Sequence, residues 1–246
     1  LAIASRDLLR DFAPTTKVGE QTVAAGIAQD DARENRLIDL FNLHQAPDRV
    51  RHGVDATLKM NGVEYEFELK SVTTATGGVS TVRDLGPSHI AKWRDKHWIM
   101  AFFQGGKLLY CRYGSPDAMR PWITEKWNYI KADFQVAKHV PANIDLDTMY
   151  EILGKKAIYT KADARKLHKN QMSAAQYTEA QDLDEGYSPD RMLKIFKDRA
   201  RYVIERGSTL NNPHIPAKFL AAWPEISSNH AAELRNHVKA WRDAKP

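Results

Sequence analysis

The chain has 246 residues, of which 43% are hydrophobic and 27% charged, and its formal net charge is +5. That balance is ordinary for one large or two small globular domains with a real core, and no apolar stretch nears the roughly 20 residues that span a bilayer. A basic balance favours a polyanionic partner, and the single cysteine, Cys111, rules out an internal disulfide framework.

The first residues, LAIASRDLLR, carry neither the long apolar centre nor the cleavage pattern of a secretory signal. Together with the cysteine count this sets the expectation of a reducing, cytoplasmic compartment. Residues 1–30 read as an N-terminal segment with a short helix near Ser5–Phe12. From Asp31 a helix is signalled more strongly. Asp31 followed by Glu34 matches a capping box, and Leu37, Leu40, Phe41 and His44 share one face. Pro47 is the expected stop.

The next segment, HGVDATLKMNGVEYEFELKSV, predicts a β-hairpin turning on Asn61-Gly62. A two-residue turn there sets Met60 against Val63, Lys59 against Glu64, Thr57 against Glu66, Ala56 against Phe67, and Asp55 against Glu68. With a side-chain period of 2, Val54, Ala56, Leu58, Met60, Val63, Tyr65, Phe67 and Leu69 form an apolar face. Asp55, Thr57, Lys59, Glu64, Glu66, Glu68 and Lys70 form the polar one. Lys59 opposite Glu64 is a sensible ion pair. Asp55 opposite Glu68 is a like-charge pair, which destabilises a hairpin unless a cation lies between the carboxylates. Magnesium suits such a site, because it takes hard oxygen ligands and commonly one or two carboxylates. Lys70 projects on the same face two residues beyond Glu68. The alternative reading is an exposed edge strand decorated with Glu and Lys for solubility.

Residues 73–87 read as a loop, 88–96 as a short helix, and HWIMAFF and KLLYCRY around Gln104-Gly105-Gly106 as buried strands. Cys111, within LLYCRY, is read as a buried structural thiol. After Ser115-Pro116 helical patterns dominate, most clearly at 145–156, 160–169, 188–206 and 229–243, the third capped by Ser188 and Pro189 and stopped at Gly207. The organisation expected is therefore an α/β region at 31–115 followed by a mainly helical region at 116–246. No Gly-rich phosphate loop or internal repeat is present.

Asp55 followed by Glu68-Leu69-Lys70 across a hairpin resembles the PD-(D/E)xK nuclease superfamily, and type II restriction endonucleases in particular. The resemblance covers residues 31–113 and includes the order helix, hairpin, helix, apolar strand. It implies an α/β fold with a restriction-endonuclease-like mixed sheet flanked by helices, so that 31–115 would be the nuclease core and 116–246 would serve recognition, dimerisation or both. It implies a Mg²⁺-dependent endonuclease, with Mn²⁺ as a substitute ion, in which Asp55 and Glu68 bind the metal and Lys70 assists the attacking water. It also implies double-stranded DNA as substrate, a homodimer where the target is palindromic, and no membrane or small-molecule cofactor. One departure is Val54 where the motif has proline, and Pro47-Asp48 keeps Asp48 in reserve.

Glu34 and Glu66 are candidate accessory acids; Glu34 is read in preference as part of the helix cap, and Glu66 equally as a solvated strand residue facing Thr57. Arg83, His89, Lys92 and Arg94 are read as DNA-backbone contacts around the short helix, and each fits a solvated amphipathic helix as well. The basic run Arg165, Lys166, His168 and Lys169 before Ser173 suits a helix-turn-helix no better than any helix pair. The rival functions are a repair, recombination or modification-dependent nuclease of the same fold, and a DNA-binding module without catalysis.

Overall fold

The computed structural model describes residues 31–46, 53–73 and 77–245. The expected helix at Ser5–Phe12, and Asp48, lie outside the described residues. In chain order the elements are α1 (31–41), β1 (Ala56–Met60), β2 (Val63–Val72), β3 (Val79–Ser80), α2 (Pro87–Trp93), β4 (His97–Gln104) and β5 (Lys107–Gly114). There follow α3 (Pro116–His139), α4 (Leu146–Leu153), α5 (Lys161–His168), α6 (Ala174–Glu179), α7 (Pro189–Ser208), β6 (His214–Ile215), α8 (Ala217–Ala221), β7 (Glu225–Ile226) and α9 (His230–Asp243).

Two compact units result, and they do not follow the chain linearly. Among the described residues, the first takes in those up to 73, Trp98–Tyr113 and those from Pro224 on, and the second 77–97 and Gly114–Trp223. The last strand and helix thus return to the first unit, because β7 pairs with β5 through Cys111–Ile226 and Arg112–Glu225.

The first unit is built on a five-stranded sheet in the order β1-β2-β4-β5-β7. The β1–β2 hairpin has the expected register, with Ala56, Thr57, Leu58, Lys59 and Met60 opposite Phe67, Glu66, Tyr65, Glu64 and Val63. Asn61 and Gly62 both have positive φ, 52° and 77°, the conformation a two-residue hairpin turn demands and that Asn-Gly adopts most readily. Ala56, Leu58, Tyr65, Phe67 and Leu69 of the apolar face join one core cluster with Leu37 and Phe41 of α1 and Leu234 and Val238 of α9. Val63, beside the turn, departs from that face and is 47% exposed.

Helix α1 runs from Asp31 as expected but differs in its cap and its stop. Asp31 already has helical backbone, so it is not the N-cap of a box with Glu34. The helix stops at Asn42, not at Pro47. Asn42 takes a left-handed conformation (φ 48°) and Leu43 N–H closes onto the Ile38 carbonyl at 2.9 Å, a helix ending that Asn tolerates better than most side chains. Arg235 of α9 then donates to the Phe41 and Asn42 carbonyls at 3.1 and 3.0 Å. His44 therefore leaves the helical face and bridges to β1. Its N–H and C=O pair with those of Thr57 at 2.8 and 2.7 Å.

The second unit is mainly helical. Met149, Tyr159, Ala164, Tyr177, Tyr187, Met192, Ile195 and Phe196 form its core, drawn from α4 to α7 and the loops between them. Ser188 caps α7 by accepting from Arg191 N–H at 3.2 Å, with Pro189 in the first turn. The helix runs through Gly207 to Ser208, one residue past the expected stop. Helix α3, which the sequence patterns did not single out, carries Pro121 inside it. Proline there forfeits one backbone bond near the start, which a helix of this length and burial tolerates. The 73–87 loop contains β3, which pairs with β6 through Val79–Ile215 and Ser80–His214.

Candidate active site

Sequence order brings Asp55, Glu68 and Lys70 together on the first unit. Strand β2 lies between β1 and β4, so it is not an edge strand, and the solubility reading of its charges fails there. Along its polar side Glu64 and Glu66 are exposed, whereas Glu68 is only 2% exposed. One residue beyond the end of the β1–β2 ladder, Asp55 is 6% exposed and its Oδ2 accepts from Leu69 N–H at 2.9 Å. The aspartate is thereby clasped to the backbone of the strand that carries the glutamate. Lys70 Nζ donates to Glu68 Oε1 at 2.8 Å.

Burial alone lowers the pKa of an ammonium. At Lys70 the charges of Glu68 and Asp55, the hydrogen bond to Glu68 and the charge of Glu34 together outweigh it and raise the pKa above the ordinary lysine value. Lys70 is therefore a cation held among carboxylates.

Glu34 belongs beside this set. Its Oε1 accepts from Gln45 Nε2 at 3.2 Å, and the same nitrogen donates to the Asp55 backbone carbonyl at 3.3 Å. Gln45 is the residue that sequence reasoning missed. Nothing in a lone glutamine before Ala46-Pro47 signals a contact with Glu34, eleven residues earlier. Glu66 is exposed opposite Thr57, the position of a solvated strand residue. Lys59 and Glu64 form the expected ion pair at 3.9 Å, both well exposed, where such a pair contributes little.

Arg83, His89, Lys92 and Arg94 all belong to the second unit. Arg83 and Arg94 are exposed, while His89 and Lys92 are half-buried. His89 packs on Trp93 with ring centroids 5.7 Å apart. Ile90 and Trp93 are buried as expected. Helix α2 ends at Trp93, short of Lys96, and Gly86 at its N-cap offers no side-chain hydrogen bond. In the basic run of α5, Asp163 closes a capping box with Thr160 and pairs with Lys156 at 2.8 Å, a local structural role.

Cys111 is buried with its thiol pushed up to about 12, by burial against the opposing charge of Arg36. It is a core residue of the sheet, not a nucleophile.

Asp55 and Glu68 thus place two buried carboxylates beside the Lys70 ammonium, with Glu34 within electrostatic reach of it. Among the described residues no three or more His, Cys, Asp or Glu side chains converge as a ready metal cluster. The donor set on offer is the Asp55–Glu68 carboxylate pair. That suits an ion of the magnesium type, which keeps most of its shell for water and phosphate, and does not suit zinc. No helix among the described residues is long and apolar enough to cross a membrane.

A family model described as restriction endonuclease PvuII matches residues 6–152. That span is more than half of the chain and includes Glu34, Gln45, Asp55, Glu68 and Lys70. No curated protein matches the sequence.

Proposed function

Because the chain belongs to the restriction endonuclease PvuII family, we propose that it is a Mg²⁺-dependent, sequence-specific type II restriction enzyme that cuts double-stranded DNA with Asp55, Glu68 and Lys70. Family membership makes it a nuclease acting on DNA, with a five-stranded sheet flanked by helices in the manner of restriction endonucleases. The observation that carries the finer reading is the burial of Asp55 and Glu68 together beside Lys70 on a central strand.

Asp55 and Glu68 are the residues that would hold the ion. When bound, Mg²⁺ supplies Lewis-acid polarisation of the scissile phosphate and stabilises charge on the leaving oxygen. The chain's own work is positional. Leu69 N–H fixes the rotamer of Asp55, and Glu68 fixes the ammonium of Lys70. Lys70 then presents positive charge and N–H donors to a phosphate oxygen as negative charge develops there. Hydrolysis forms a bond from water oxygen to phosphorus, breaks the bond to the leaving sugar oxygen, and delivers a water proton to solvent or to that oxygen. A palindromic duplex target calls for a two-fold homodimer with one such site per subunit.

The test is to incubate the protein with phage DNA and Mg²⁺ and sequence the fragment ends. Discrete ends at one short motif are expected, abolished by EDTA and by Asp55→Asn or Glu68→Gln. Random or structure-dependent nicking would move the protein to a repair or recombination role. Full cleavage by an Asp55→Ala, Glu68→Ala double variant would sink the catalytic assignment.

A further inference from the structure

We infer that Gln45 is a positioning residue that ties Glu34 on α1 to Asp55 and thereby holds a third carboxylate at the edge of the Asp55–Glu68 pair. The inference rests on the proposed reading of that pair as the metal-holding carboxylates.

The geometry is specific. Gln45 Nε2 has two protons, and its two acceptors are Glu34 Oε1 at 3.2 Å and the Asp55 carbonyl at 3.3 Å. The approach of Gln45 is set by the backbone on both sides. The left-handed Asn42 turns the chain out of α1, Arg235 anchors the helix end, and His44 pairs with Thr57 of β1. One residue later the amide lies between the helix and the start of the hairpin. The Gln45 amide is a neutral donor, so it holds Glu34 without adding charge beside the Asp55–Glu68 pair. The charge of Glu34 is felt at Lys70, which places it within electrostatic reach of the set.

Residues that orient metal ligands from outside typically weaken metal affinity about 10–100-fold when replaced. Gln45→Met keeps the length and removes both donors. Gln45→Asn keeps the amide and shortens its reach by one methylene.

Calorimetric titration with Mn²⁺ alone, without DNA, reads the effect directly. Gln45→Met and Gln45→Asn are each expected to bind Mn²⁺ about 10-fold more weakly than the unaltered protein, at the low end of that range. Their metal-free melting temperatures are expected to be unchanged, since Gln45 is only half-buried. Glu34→Gln should weaken Mn²⁺ similarly, and combining it with Gln45→Met should add little, because both break one tie. Unaltered affinity in both Gln45 variants, or full additivity with Glu34→Gln, overturns the inference. Asp55→Asn keeps the two failures apart. If it abolishes binding while the Gln45 variants do not weaken it, only the Gln45 inference falls. If Asp55→Asn binds Mn²⁺ normally, the reading of the catalytic pair falls.

Discussion

Replacing Lys70 with methionine isolates the electrostatics of the site. The side chain keeps its length, so packing changes little, but the ammonium that sits 2.8 Å from Glu68 Oε1 is lost. Glu68 is only 3% exposed at its side chain and Lys70 20%, so the pair is largely shielded from water. Breaking a buried pair by removing one partner costs about 3–5 kcal/mol. The partial exposure of Lys70 and the proximity of a second carboxylate pull in opposite directions, and about 3 kcal/mol is the expected loss for the metal-free protein. At a urea m-value of about 3 kcal/mol/M this moves the midpoint down by about 1 M. The measurement is urea denaturation in EDTA, followed through the tryptophans.

The pH dependence gives a second handle. In the unaltered protein the folded Lys70 pKa is raised, so its contribution is full below the ordinary lysine pKa and fades as pH rises through the folded value. Lys70→Met should lack that alkaline loss. A methionine variant as stable as the unaltered protein in EDTA at neutral pH would refute the claim that Lys70 neutralises the buried carboxylates.

The turn that sets the register is testable through Gly62, whose φ of 77° no β-branched residue adopts cheaply. Gly62→Val is expected to cost about 1–2 kcal/mol in thermal unfolding, while Gly62→Asn loses less. Equal stability of the valine variant would show that the turn can rearrange. Cys111, with its thiol raised to about 12 by burial, should resist a thiol-specific disulfide reagent at about pH 8 until the chain is unfolded by denaturant. The sign also runs with pH. Below the ordinary thiol value burial of the neutral thiol costs nothing electrostatically, and above it the unfolded state is favoured until the folded thiol ionises. Rapid labelling of the native protein would contradict the burial.

The hairpin was legible because everything that specifies it is local. Asn61-Gly62 supplies two residues that accept positive φ, and alternation then assigns each side chain to a face. From these alone Lys59 falls opposite Glu64, Thr57 opposite Glu66 and Ala56 opposite Phe67. The ladder ends at Ala56–Phe67, so the expected facing of Asp55 and Glu68 lies one residue beyond the paired register, where Asp55 instead accepts from Leu69 N–H. Capping chemistry worked equally well at Ser188-Pro189, and it failed at Asp31, which is itself helical. A box of side chains is only a cap if the backbone before it is extended, and the sequence around Asp30-Asp31 does not say so.

The tertiary structure decided what depends on contacts far apart in the chain. That β2 is a central strand, so that Glu68 is buried and not solvated, follows from β4 lying beside it. That β7 and α9 complete the first unit follows from pairing with β5 across more than a hundred residues. No periodicity encodes which strand becomes a neighbour, because side-chain spacing records only that a face is apolar and not what will cover it. The link from Glu34 through Gln45 to Asp55 was out of reach for the same reason. It needs the left-handed stop at Asn42 and the bridge from His44 to Thr57 to bring a helix and a hairpin to one amide nitrogen. By itself the sequence determined which charges share a strand face, since that is set by a turn and a period of two. Only the folded molecule decided that Asp55 and Glu68 lie out of water, on a strand with neighbours on both sides.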